Sequence, residues 1–274
     1  MKKLKYGLAL SGGGARGIAH IGVLKALDEC GIQPSVISGV SMGALVAVSY
    51  GLGIDYDELL YLVKKGANPL KIKSLSFRRQ GIFDLDVVRE VFEKKAAKDD
   101  FGILKIPTFV TVTNFNTGKF EIISKGKFID YTLASASIPL LFTPVKIGNS
   151  IYVDGGLTKN MAAAAISKYC DKVIGVHVNH IGYAGTISGI KEIASRTFHL
   201  AVYNTILNEL DYCDFLIDPP DTANYGVLDF NKADEIFDLG YKEGMKLAEQ
   251  LQSDQNILQQ AVVKLKKAIL KMQL

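Results

Sequence analysis

Short apolar runs alternate with longer amphipathic stretches along most of the chain. The run at 5–10 (KYGLAL) has the length and apolar density of a buried strand, and 17–30 repeats apolar residues at helical spacing up to Gly31, placed to end a helix. Residues 35–38 (SVIS) predict a second strand, and 42–51 (MGALVAVSYG), apolar on most sides, a buried helix. Further helix is expected at 55–66 and from a cap at Asp84 to about 95. PTFVTVTN and KFEIIS, joined through Asn116-Thr117-Gly118, predict a hairpin, and so do PVKIG and SIYVD around Gly148-Asn149. Helix is expected at 128–137 and over the alanine-rich MAAAAISKYC. DKVIGVHV and DFLID predict strands on either side of a long helix at 187–211, and two helices close the chain. The pattern predicts one α/β domain over 1–274. It has three layers: a mostly parallel central sheet and helices on both faces. The motifs lie in a core at about 5–180, with a C-terminal strand and helices at 181–274.

Composition changes this picture little. With 274 residues, 48% hydrophobic and 22% charged, the chain can bury a sizeable core, and a net charge of +4 gives no argument for nucleic acid. Cys30, Cys170 and Cys213 are odd in number and widely spaced, so neither a disulfide framework nor a zinc site is indicated and a cytoplasmic protein is expected. The opening MKKLKYGLAL breaks into glycines too early for a signal peptide, and no run is long and apolar enough to span a membrane. No spacing of ligands suggests a hydrolytic metal, and no cofactor is expected.

The chemistry concentrates where predicted strands hand over to helices. After the first strand, Gly12, Gly13, Gly14 and Gly17 expose backbone N–H groups at a helix start, a cradle for negative charge. Gly12, Gly14 and Gly17 satisfy G-x-G-x-x-G, which makes a dinucleotide-binding oxidoreductase a rival reading. The second strand, however, ends in Ser38-Gly39 and not in the acid that would hold a ribose, and no Gly-Lys-Ser/Thr comes after the loop. Instead the second strand leads into GVSMG, residues 39–43. A sharp strand-to-helix turn would raise Ser41 as a nucleophile, with Gly39 and Gly43 small because the chain segments cross there. The first loop then serves as an oxyanion hole. Arg16 either shapes that loop, most simply by pairing with a carboxylate, or meets a lipid phosphate.

A serine needs a base. His180 is the best-placed histidine for a triad, His177 reads as a core residue, His20 precedes the serine and His199 is mid-helix. Asp154-Gly155-Gly156, at the end of IYVD, is a second candidate, although D-G-G alone is equally a hairpin turn.

GGGARG, GVSMG and DGG, in that order, resemble the patatin-like phospholipase family. GIFD (81–84), TNFNTGK (113–119), ASASIPLLFTPV (134–145) and GGLTKN (155–160) are similar to family blocks, while Ala162 stands where the family often has proline. The resemblance implies a patatin-like variant of an α/β-hydrolase-type architecture and a Ser41–Asp154 dyad without histidine. It implies an acyl-enzyme route to the hydrolysis of phospholipid, lysophospholipid or acylglycerol esters. A catalytically silent membrane-associated adaptor of the same fold is the other alternative. Two basic segments suggest peripheral membrane contact: 256–274, where Lys264, Lys266, Lys267 and Lys271 border an apolar stripe, and 67–83, with Lys71, Lys73, Arg78 and Arg79, which would also suit a lid.

Overall fold

The computed structural model describes residues 4–66 and 85–272, from residue 254 onward by backbone alone. The sequence elements at 67–83, the Asp84 cap, GIFD and the side-chain stripe of 256–274 therefore lie outside the described residues.

Among the described residues, eight strands form one mixed sheet: β1 (Tyr6–Leu10), β2 (Pro34–Val40), β3 (Thr108–Asn114), β4 (Lys119–Ile123), β5 (Val145–Ile147), β6 (Ser150–Asp154), β7 (Lys172–Val176) and β8 (Phe215–Ile217). The order is β5-β6-β3-β2-β1-β7-β8, with β4 also paired to β3. From β3 through β2, β1 and β7 to β8 the pairs are parallel, and the two hairpins add antiparallel pairs. Both faces of β1 are covered. Leu8 and Leu10 belong to the larger core cluster, while Ala9 between them joins Val36, Met161, Ile166 and Val173 in a second. Alternate residues of a strand point to opposite faces, so these are two separate cores on the two sides of the sheet.

The larger core is closed by α1 (Ala19–Glu29), α2 (Met42–Leu52), α3 (Tyr56–Gly66), α4 (Leu85–Lys95), α5 (Ile129–Ser135) and α9 (Ala233–Met272). The smaller one takes residues of α6 (Ala163–Ile166), α7 (Gly189–Asn204) and α8 (Leu207–Leu210). The α9 backbone lies directly on α1: a Cβ on Gly240 would sit 1.9 Å from the Ala19 carbonyl oxygen, and one on Gly22 would sit 2.2 Å from that of Phe237.

Four elements differ from expectation. One helix, α9, closes the chain instead of two. Its glycines, which weaken an isolated helix, are what allow contact with α1. The long helix expected at 187–211 breaks at Thr205-Ile206, where the Thr205 hydroxyl turns back onto Val202 O and accepts the Asn160 N–H. The alanine tract makes only the single turn of α6 before 3-10 geometry leads into β7. The first helix likewise begins as a 3-10 turn, Gly14–Ile18. Gly17 there passes so close to α2 that a Cβ would lie 2.5 Å from Met42 Cγ.

Candidate active site

The end of β2 and the end of β6 meet head to head. β3 pairs with β4 along one edge; along its other edge it pairs with β2 up to Val40↔Thr111 and then with β6 from Val112↔Asp154. The two strands run in opposite directions on that edge, so their last residues converge. One residue past β2 stands Ser41, and the last residue of β6 is Asp154. The Ser41 hydroxyl donates to Asp154 Oδ2 at 2.5 Å, and the side chains are 4% and 6% exposed.

Ser41 sits at φ 54° and ψ −126°, outside the regions ordinary side chains occupy. Its surroundings over-determine that conformation. The Ser41 N–H donates to Ser135 Oγ, whose own hydroxyl is held by Thr111 O. Gly39 and Gly43 cross within contact: a Cβ on Gly39 would fall 2.3 Å from the Gly43 oxygen. On the other side, Asp154 Oδ1 accepts the Gly156 N–H at 2.7 Å, and the Asp154 N–H donates to Ser137 O at 2.9 Å. A Cβ on Gly155 would strike the Thr111 carbonyl. Burial pushes the Asp154 carboxyl up to about 7, against the Ser41 and Gly156 donors, which favour the charged form.

The glycine loop runs beside this pair. Ala15 N–H is taken by Val227 O and Arg16 N–H by Gly13 O. Gly12 N–H is taken as well: Asn160 accepts it through Oδ1 at 3.1 Å and through its main-chain oxygen at 3.3 Å. The N–H groups of Gly13 and Gly14 have no protein acceptor among the described residues. Of the three glycines expected to offer donors, Gly12 is thus committed to the scaffold. Gly14 holds φ 55°, with Val227 O where a Cβ would go. Arg16 is buried and donates Nε–H to Tyr225 O at 2.6 Å; its Nη1 approaches Asn179 Oδ1 at 3.5 Å. It fixes the loop through a carbonyl and an amide instead of the carboxylate expected of it. Burial lowers its pKa, partly countered by Asp229.

None of the four histidines hydrogen-bonds Ser41. His20 is fully buried against Ser11 O, and burial brings its pKa down to about 4. His177 and His180 both point Nδ1 at Asp218, at 3.0 and 2.9 Å. His199 is lowered to about 4 by burial and the nearby charges of Arg16 and Arg196. His180 therefore has the carboxylate partner of a triad histidine but not the serine.

Asn160 is the site residue that the motifs do not single out. It is buried, its Oδ1 ties Gly12 to the turn that carries Asp154, and its Nδ2 has no hydrogen-bond partner among the described residues. The only sequence signal for it is its place six residues after Asp154, in GGLTKN.

The sequence profile of the patatin-like phospholipase family matches residues 8–166, which include both glycine elements, Ser41, Asp154 and Asn160. Lysophospholipase nte1 of Emericella nidulans is 27% identical over 283 residues, covering 90% of this chain and 18% of that protein. Lysophospholipase nte1 of Aspergillus fumigatus is 27% identical over 284 residues with the same coverages, 90% and 18%. The chain spans less than a fifth of the length of these relatives. The crystal structure of VipD from Legionella pneumophila matches with a TM-score of 0.50 at 16% identity, over 91% of this chain and 67% of that one, which shows a shared fold. With its profile matched over more than half of its length, the chain belongs to the patatin-like phospholipase family.

Proposed function

We propose that the chain is a serine lipid acyl hydrolase acting on carboxylic esters of phospholipids, with lysophospholipids as the first substrates to test. The observation that carries this reading is the buried Ser41–Asp154 hydrogen bond at a strained strand-to-helix turn. Family membership and the lysophospholipase names of the fungal relatives support the lipid substrate class.

Ionised Asp154 takes the Ser41 proton on Oδ2 as Oγ attacks the ester carbonyl carbon. The carbonyl oxygen gains the negative charge, and the N–H groups of Gly13 and Gly14, without an acceptor among the described residues, stabilise it. Collapse of the tetrahedral intermediate breaks the bond to the alcohol oxygen, which receives the proton from Asp154. A water then gives its proton to Asp154 and attacks the acyl carbon, releasing a carboxylic acid and restoring the serine hydroxyl. An alkoxide needs less acid assistance than an amide nitrogen, so esters suit a carboxyl proton carrier better than peptides.

The test is the pH dependence of kcat/KM on a lysophospholipid and on a soluble p-nitrophenyl ester. The base form of Asp154 is required and its carboxyl is raised to about 7. The rate should fall roughly tenfold per pH unit below that value and level off above it. A profile that stays flat down to pH 5 overturns the assignment of Asp154 as base.

Asn160 acts in this reading as a positioning residue. Asn160→Ala should lower kcat about 10²-fold, because Gly12 keeps only the longer bond to the main-chain oxygen and the loop shifts relative to Ser41. Asn160→Asp keeps an acceptor for Gly12 but adds a carboxylate. A Cβ on Gly156 would lie 2.7 Å from Asn160 Oδ1 and 3.0 Å from Asp154 Oδ1. The two oxygens are therefore within about 6 Å, where like charges raise each other's pKa. The Asp variant should move the inflection of the pH profile upward, a change that simple loss of packing would not produce.

A further inference from the structure

We propose that Leu140 inserts into the hydrocarbon of a lipid aggregate and seats the Ser41–Asp154 site on the substrate surface. The proposal rests on the hydrolase reading above for its choice of lipid as occupant. Leu140 is 99% exposed and holds φ 71°. A bulky side chain at positive φ is a genuine outlier, and a fully exposed leucine gains nothing from packing that would offset it. The strain is imposed locally: Leu141 N–H and Phe142 N–H both turn back onto Ile138 O, and Pro139 fixes the entry to the bend. The neighbours Ile138, Leu141 and Phe142 are half-buried, so the bend pushes out one apolar side chain from an anchored apolar base.

The position of this bend gives the surface its meaning. Leu140 lies three residues beyond Ser137, whose carbonyl accepts the Asp154 N–H. Leu157 lies three residues beyond Asp154 and is 39% exposed. Three residues reach at most about 11 Å, so both leucines stand within about that distance of the aspartate region. An ester drawn from an aggregate must be lifted toward the serine, and an apolar side chain this close to the site holds the protein at the interface while that happens.

The test separates docking from chemistry. Vesicle flotation is measured on the Ser41→Ala protein, with liposomes of phosphatidylcholine and with liposomes containing a fifth phosphatidylglycerol. Leu140→Asp in that background should cut the bound fraction about tenfold or more, the scale of one lost leucine insertion. Leu140→Gly should do nearly the same while raising Tm, since glycine accepts the positive φ without strain. Tyr212→Asp, an exposed aromatic just ahead of β8 at the opposite end of the parallel strands, should leave binding unchanged. In the active protein, Leu140→Asp should lower the rate on vesicles relative to the rate on soluble p-nitrophenyl butyrate. Binding that is unaltered by both Leu140 variants, or no binding by the parent protein, overturns the proposal. So does a dimer in solution that dissociates on Leu140→Asp without any change in vesicle binding, which would assign the leucine to a second copy. Absence of any esterase activity would count against the reading of Ser41 and leave the flotation result to decide on Leu140.

Discussion

Asp154→Asn should lower kcat/KM by on the order of 10³–10⁴-fold and at the same time stabilise the protein at pH 8. The amide is isosteric with the carboxyl: its oxygen still accepts the Gly156 N–H, but its NH2 group cannot take a proton from Ser41. The gain in stability follows from linkage. Burial raises the carboxyl from 3.8 to about 7 in the folded chain, so the folded state holds its proton more tightly than the unfolded state. The resulting contribution to stability is complete below pH 3.8, shrinks as pH rises through the interval, and is gone above pH 7. A rise of that size corresponds to about 4 kcal/mol, an upper bound on what ionising Asp154 costs the wild type at pH 8. Asparagine carries no such cost. Urea unfolding of both proteins at pH 4 and pH 8 should show the variant gaining on the wild type only at the higher pH. Equal stability differences at the two pH values would mean that the carboxyl is not raised. Activity within tenfold of wild type would remove Asp154 from the reaction.

Much of this arrangement is legible along the chain because it depends on local backbone geometry. GVSMG sits between an apolar run and an apolar helix, and only glycine at 39 and 43 lets those segments cross. The positive φ at Ser41 follows from the same tight turn. The glycine loop after β1 is equally plain, as are both hairpins with Gly118 and Gly148 at positive φ. What sequence spacing does not contain is the end-to-end meeting of β2 and β6 on one edge of β3. A resemblance between motifs, and no pairing rule, links Ser41 to a residue 113 positions away. The same limit hides Asn160. A side chain that accepts from a glycine 148 residues earlier leaves no periodic trace, and its capture of the Gly12 N–H is invisible while the loop is read as a row of equivalent donors. His180 is misleading for a physical reason: it has a carboxylate neighbour in Asp218, but both lie toward β7 and β8, whereas Ser41 follows β2 on the far side of β1. The break at Thr205 and the unbroken α9 are settled by tertiary contacts, with Asn160 in the first case and α1 in the second.

Ser41→Ala should abolish ester hydrolysis, with a loss on the order of 10⁶-fold, together with labelling by a fluorophosphonate probe. In the proposed mechanism the hydroxyl is the group that forms the covalent bond, so no residual route through Asp154 alone should exceed slow, water-like chemistry. Single replacements of His20, His177, His180 and His199 should each retain labelling wherever the variant folds, because none of these rings reaches the serine. Alanine also removes a donor that favours the charged form of Asp154. The carboxyl is then driven higher still. Alanine does not relieve the φ of 54°, since it keeps a Cβ, whereas glycine does. Ser41→Gly should therefore be more stable than Ser41→Ala by about 1–2 kcal/mol while equally inactive. Two inactive proteins separated by that margin would identify a strained nucleophile turn held in place by its neighbours. An alanine variant that keeps a thousandth of the wild-type rate, or more, would show that the acyl group is not carried on residue 41.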